Sequence, residues 1–275
     1  MSMRDVPAED RVPLRLYWQP GCTSCLRTRE FLQSRGVAFE SINVLASGDA
    51  MQALVALGVR TVPVLARGER FVLAQDLQEV ARFVGIPYSL DRLPVAVLLE
   101  RVHGCLELTA QHAACWPAAS LRDLLPGRPR RHADLLYHVA MIVQGLLDAT
   151  ASDGNGRLDY EYFERRPAEA SIDPHKLADL LRGVAEALRS AAPALVCVPA
   201  NQPVATYYGH RPLHEVLERT AWHVAQHLRQ VHHLLVEVLR RTDSPALDPG
   251  LLAGLPLPER VWDAEIQFQS PGALD

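Results

Sequence analysis

Apolar and polar positions follow two different textures along the 275-residue chain. From Leu14 to Gly85 the apolar runs are short and bounded by Gly, Pro and polar clusters. "LRLYW" reads as a buried strand, and Cys22 to about Arg35 as a helix that stops near Gly36. "VAFESINV" is a second strand and "DAMQALVALG" a short helix. "VPVLAR" and "RFVL" make a hairpin around Gly68, and "AQDLQEVARFVG" closes as a helix with Gly85 just past its end. The order β-α-β-α-β-β-α predicts a small α/β unit over residues 13–87.

After "IPYSLDRLP" the period lengthens. Residues 95–116, 130–149, 174–191 and 212–241 each show helical periodicity with little strand signal. Four such segments joined by polar loops predict an all-α four-helix bundle over residues 95–242. Two connections, "SDGNGRLDYEYFERRPAEASID" and "APALVCVPANQPVATYYGHRP", exceed ordinary bundle turns and are expected to shape a pocket or lid. The Pro-rich stretch 243–275 is expected to lie as an extended tail against the bundle.

Composition adds little to this picture but narrows the partners. With 48% hydrophobic and 22% charged residues, the chain has the make-up of a soluble globular protein with a substantial core. The net charge is −4 and neither half is strongly basic, which argues against electrostatic binding to nucleic acid. Lys176 is the sole lysine among many arginines, a bias that reads as genomic rather than functional. The N-terminus is polar, and no apolar run reaches the length of a membrane span. A cytoplasmic location, with no membrane partner and with thiols kept reduced, is the expectation.

Cys22 and Cys25 stand as "CTSC" where the first strand gives way to the first helix. Free N–H groups and the helix dipole at such a position favour an anion. A thiolate held there is nucleophilic at neutral pH, and Arg27 and Arg29 add positive potential. Cys22 would attack a disulfide, and Cys25, one turn deeper, would resolve the mixed disulfide. Half a zinc site and a pair of inert thiols compete with this reading. Zinc needs further ligands, and this half of the chain holds no second CxxC and no nearby CxxH. Five cysteines, an odd number, fit a permanent disulfide framework poorly.

Two motifs together, "CTSC" at the strand–helix junction and "TVP" at Thr61–Val62–Pro63, make this half resemble the glutaredoxin branch of the thioredoxin-like fold. The resemblance implies that Cys22 and Cys25 are catalytic and that Pro63 is a cis-proline beside them. It also implies that Thr61, Val62 and Pro63 meet the thiol substrate. After the hairpin, "RFVLAQDLQEV" carries Asp76 but lacks the Gly-Gly of glutathione-binding glutaredoxins. The low-molecular-weight thiol and the reductant system, including one fed by thioredoxin reductase, are therefore left open.

The long-period half has its own candidate chemistry. "LLYHVAMIV" holds His138, and "ERTAWHVAQHLRQVHHLL" holds His223 and His227. A spacing of four puts His223 and His227 on one helical face with Val216, Thr220 and Val231, which is mostly apolar. His138 likewise sits among Leu135, Met141 and Ile142. Three buried imidazoles from two helices would bind a divalent transition metal and leave positions open, while the bland alternative is three hydrogen-bonded core histidines. His232 and His233 turn to other faces and read as surface or supporting groups, and His210 and His214 lie too far from His227 along the helix to share a ligand. Asp134 either orients an imidazole or stays solvated. Cys105, Cys115 and Cys197 read as small apolar fillers, with Cys105 placed to face the pocket.

One histidine on the second helix and an H-x3-H on the fourth make residues 95–242 resemble the DinB-like, also called YfiT-like, metal-binding bundles. That resemblance implies metal binding by His138, His223 and His227, with zinc, nickel and iron all compatible. Thiol-dependent transferases and isomerases of that superfamily imply a metal that lowers the pKa of a cofactor thiol. Joined to the first half, the expected protein is a cytoplasmic metal-dependent thiol-transfer or detoxification enzyme with its own CxxC dithiol reductant. Its partners would be a small thiol or disulfide substrate and a thiol reductant system. The alternatives are a dithiol–disulfide oxidoreductase whose bundle targets it or makes it a homodimer, and a non-enzymatic redox or metal sensor.

Overall fold

The computed structural model describes residues 12–46, 48–125, 128–151 and 156–263. The N-terminal residues read above for the absence of a leader, and the tail beyond residue 263, lie outside that range. Two compact units divide the chain: one holds residues up to Leu90 together with the stretch from Pro258, the other runs from Asp91 to Leu257.

In the first unit, β1 (Leu14–Trp18) buries Leu14, Leu16, Tyr17 and Trp18, so it lies at the centre of a sheet. Following it in the chain are α1 (Thr23–Ser34), β2 (Glu40–Asn43), α2 (Gly48–Ala56), β3 (Val64–Arg67), β4 (Arg70–Leu73) and α3 (Leu77–Val84). β1 pairs in parallel with β2 and antiparallel with β3, and β4 continues from β3, giving the order β2-β1-β3-β4. Side chains alternate across this sheet as the pleat requires. Leu14, Leu16 and Leu65 pack with Phe31 and Leu32 of α1 and Val80 of α3. Tyr17, Val64 and Ala66 pack on the other side with Leu54 of α2 and Cys25 of α1.

The second unit is mostly helical. Its elements are α4 (Val95–Ala114), α5 (His132–Ala149), β5 (Arg157–Leu158), α6 (Glu161–Glu164), α7 (Pro174–Cys197), β6 (Pro203–Thr206), β7 (Gly209–Pro212) and α8 (Leu213–His233). α4 packs against α7 and α8, and α5 packs against the same two. Leu98, Leu106, Leu135, Ile142, Leu146 and Trp222 are fully enclosed between them. No helix among the described residues is long and apolar enough to cross a membrane.

The two long connections carry strands that the sequence pattern did not show. β5 pairs in parallel with β6, and β6 pairs antiparallel with β7, so the connections share a three-stranded sheet. Backbone laid over a helical core has to satisfy its own N–H and C=O groups, and pairing the two connections does so. Gly145 of α5 permits the close approach: a Cβ there would fall 2.8 Å from Leu158 Cδ1 and 3.0 Å from the Tyr162 ring. α7 also runs on through Pro193 to Cys197, beyond the expected end at residue 191, while the α-helical part of α8 ends at His233 and passes into a π-helical turn. The Pro-rich stretch is divided rather than lying wholly along the helices. Leu251 packs on Gly104 of α4, whereas Glu259 and Arg260 donate backbone N–H groups to the Glu30 carboxylate in the first unit.

His112, near the end of α4, is fully buried; its Nδ1–H donates to Leu108 O at 2.6 Å and its Nε2 lies 3.0 Å from His232 Nδ1. Burial lowers its pKa to about 4 from 6.5. The folded state therefore prefers the neutral ring, and stability falls as pH drops from the unfolded value toward the folded one. Between pH 7.5 and 5 this group should cost the native chain on the order of 2 kcal/mol. Urea unfolding at both pH values should show His112→Gln to be less acid-sensitive by that amount, and an unchanged pH dependence would refute the assignment.

Candidate functional site

The turn that ends β1 sets the first candidate site. Pro20 and Gly21 occupy its central positions, Gly21 with φ +83°, and Cys22 N donates to Gln19 O at 3.4 Å. These are the residues a type II turn favours. The turn leaves Cys22 as the N-cap of α1, where its Sγ accepts from Cys25 N at 3.1 Å. No acidic residue occupies the first turn, so nothing there opposes the positive end of the helix. Cys22 is half-buried and Cys25 is 0% exposed, and the two are joined as a disulfide with Cα atoms 5.2 Å apart.

Cys22 Sγ also lies 3.9 Å from Val62 O, next to a cis Val62–Pro63 bond. Val62 and Pro63 are buried and Thr61 is half-buried, so the "TVP" stretch is brought against the cysteines as the motif implied. Gln75 helps to hold it, with Nε2 3.5 Å from Val62 O. Asp76 is engaged elsewhere, capping α3 by accepting from Gln78 N and Glu79 N. Arg27 and Arg29 are engaged within the unit. Both are buried: Arg27 donates to Gln75 O at 2.7 Å, while Arg29 stacks on the Trp18 ring at 3.9 Å and faces Asp263 at 3.8 Å. These contacts brace the unit.

In the second unit α5 supplies His138 and α8 supplies His223 and His227, at 4%, 6% and 3% exposure. Each offers one ring nitrogen, and these nitrogens lie within 4.8 Å of one another. His223 Nε2 and His227 Nε2 are 3.1 Å apart. Imidazoles bound to one tetrahedral ion place their nitrogens roughly 3.4 Å apart. His227 Nδ1 is paired with Gln230 Oε1 at 2.7 Å, which requires Nδ1 to carry the proton and turns the Nε2 lone pair toward the cluster. Burial, aided by Arg130, lowers the His227 pKa to about 3 and that of His138 well below its usual value. Both rings are neutral, as ligands must be. His138 Nδ1 is buried with no hydrogen-bond partner among the described residues. The residues present fit a three-histidine metal site.

The connections close over this cluster. α6 lays Phe163 against His138 and His223, each with ring centroids 5.9 Å away. The two-residue tip between β6 and β7 brings Tyr207 to 5.8 Å from Phe163, and Arg219 of α8 reaches the Tyr207 hydroxyl at 2.9 Å. Several expectations are revised around it. Asp134 is neither solvated nor on an imidazole; it caps α5 by accepting from Arg131 N at 2.9 Å and from the Arg131 guanidinium. His232 is bound to His112, His214 to Leu93 O, and His210 is exposed. Cys105 is a buried filler whose pKa burial pushes up to about 12, but Cys197 is exposed.

A glutaredoxin family model matches residues 14–72. The glutaredoxin-like protein NrdH of Salmonella typhimurium is 36% identical over 56 residues, which is 20% of this chain and 69% of that protein. The chain belongs to the glutaredoxin family. Its membership rests on the first unit, whose sheet and CxxC placement are those of the glutaredoxin-like thioredoxin fold. No solved structure matches the chain. The glutaredoxin pair Cys22–Cys25 supports thiol–disulfide oxidoreductase chemistry in general.

Gln230 and Phe163 escaped the sequence reading. Gln230 had a usable signal, since it follows His227 by three positions and so shares its face; Phe163 had none, because its connection folds back from outside the helical pattern. In the reduced glutaredoxin unit, Cys22 should alkylate faster than the enclosed Cys25 and titrate below about 8.5. Iodoacetamide rates against pH for Cys22→Ser and Cys25→Ser test this, and equal rates with ordinary titration for both would remove the redox assignment.

Proposed function

We propose that the protein is a metal-dependent thiol-transfer or detoxification enzyme whose glutaredoxin unit serves as a dithiol reductant. Convergence of three buried imidazoles, two of them held neutral by burial, in a chain that also carries a CxxC supports this reading. The helical unit, on this proposal, is a DinB-like four-helix bundle in which His138, His223 and His227 hold one zinc, nickel or iron ion. Bound there, the ion would acidify a low-molecular-weight thiol. Gln230 would fix the His227 ring, and Phe163 and Tyr207 would exclude water. On this proposal the enzyme works in the cytoplasm.

In the reductant unit, the Cys22 thiolate attacks one sulfur of a disulfide, forming a mixed disulfide and releasing the other sulfur as a thiolate. Cys25 then loses its proton and attacks the Cys22 sulfur, which frees the second substrate thiol and leaves the Cys22–Cys25 disulfide. A dithiol reductant restores the pair by two further exchanges. Val62 and Pro63 line the approach to Cys22.

Cys22→Ser should reduce disulfide turnover at least a hundredfold, and Cys25→Ser should arrest it at a mixed disulfide visible by intact-mass analysis. Chain purified without chelators or a histidine tag should carry about one divalent transition metal, retained in His233→Ala and lost in His227→Ala. Full metal content in the variant with His138, His223 and His227 all replaced by Ala would overturn the metal reading. Thiol transfer unaffected by His227→Ala would leave a plain dithiol–disulfide oxidoreductase.

A further inference from the structure

α1 is buried over more of its circumference than packing on one sheet requires. Residues 23–29 are all buried, whereas a helix packed on one side keeps a polar stripe in water. At the edge formed by Arg29 and Glu30, the cover is a distant part of the same chain. Glu259 N and Arg260 N donate to Glu30 Oε2 and Oε1 at 2.6 and 3.2 Å, so one carboxylate holds two successive amides. Asp263 Oδ1 lies 3.8 Å from Arg29 Nη1, and both side chains are buried. Pro258 is buried as well, so the stretch is pinned at both ends. Residues 258–263 belong to the glutaredoxin unit, although the whole helical unit precedes them in the chain.

This stretch lies close to the cysteines. Arg29 follows Cys25 by four residues and so stands one turn along the same face of α1. Its guanidinium stacks on the Trp18 ring at 3.9 Å, and Trp18 packs in one cluster with Cys25 and Cys22. Arg29 is two turns from Cys22, a rise of about 10.5 Å. A protein partner covers about 800 Å² of its mate, a patch reaching roughly 16 Å from its centre. A protein that offers a disulfide to Cys22 through such an interface therefore meets the ground held by residues 258–263. A small disulfide needs only Cys22 and the Val62–Pro63 edge. We propose that residues 258–263 are a strap that sets specificity, admitting small disulfides to the Cys22–Cys25 pair and excluding protein disulfides. This rests on the thiol–disulfide chemistry of the glutaredoxin unit given above and adds the size class of its substrate.

The test follows oxidation of the pre-reduced, full-length chain in a single turnover, so no further reductant enters. Cys22 attacks the substrate disulfide, Cys25 displaces the mixed disulfide, and the Cys22–Cys25 bond forms as two substrate thiols leave. Bis(2-hydroxyethyl) disulfide is the small probe and insulin the protein probe, and peptide mass after acid quench reads the Cys22–Cys25 bond. The variant combines Glu30→Ala with Asp263→Ala, and hydrogen exchange over residues 258–263 reports whether the strap has left. A partner that needs the strap off binds in proportion to the fraction undocked, so the variant should react with insulin at least about tenfold faster than the wild-type chain. The small disulfide does not wait for the strap, so its rate should stay within about twofold. An unchanged insulin rate in a variant whose strap exchanges freely would overturn the proposal. Equal acceleration of both probes, or a strap still protected in the variant, would overturn it as well. If the double variant does not fold, Asp263→Asn alone decides, and it must speed insulin selectively. A wild-type chain oxidised by neither probe defeats the redox assignment together with this inference; one oxidised by both, with the rate ratio unchanged in the variant, defeats this inference alone.

Discussion

A polar group removed from water must be given a partner, and both units of this chain are organised around that requirement. In the glutaredoxin unit, Arg27 and Thr28 of α1 donate to Gln75 O and Ala74 O, which ties the cysteine-bearing helix to the segment after β4. Gln75 lies in turn within bonding distance of Val62 O, the same carbonyl that Cys22 Sγ approaches. One short network of buried donors and acceptors thus fixes the distance between the helix N-terminus and the cis-proline. The geometry of the reactive sulfur is a consequence of that network and of the Pro20–Gly21 turn.

The helical unit applies the same requirement to ionisable groups. Burial keeps His112, His138 and His227 neutral, and two of them find ring-nitrogen partners inside the protein: His112 on Leu108 O, and His227 on Gln230. His138 Nδ1 is left without one among the described residues. An uncompensated buried group lowers stability, so its persistence at one place points to a ligand that completes it. The small sheet formed by the two long connections encloses that place, since it carries Tyr207 and is joined through β5 to the Phe163 segment. Enclosure strengthens electrostatic contacts with whatever binds.

Much of this was legible in the residue pattern. The succession of elements along the first unit, the helix that starts at the cysteines, and the inward faces of α5 and α8 follow from hydrophobic periods of two and 3.6, which are local properties. The three histidines were legible for the same reason: each sits at an inward position of a strongly periodic helix. The strands β5 to β7 were not, because their pairing satisfies backbone groups across connections that are 45 or more residues apart in the chain. The contacts of Arg27 and Arg29 were not legible either. Gln75, Trp18 and Asp263 meet these side chains only through packing.

Sequence by itself determined the two textures, the CxxC at a helix start and the H-x3-H face, since each depends on neighbours within a few turns. Tertiary structure alone decided which buried groups are partnered. Gln230 on His227, Arg131 on Asp134 and His232 on His112 depend on rotamers and on segments brought together by folding. Hydrogen bonds are short-ranged and directional, so a displacement of an ångström makes or removes them, and no one-dimensional pattern carries that information.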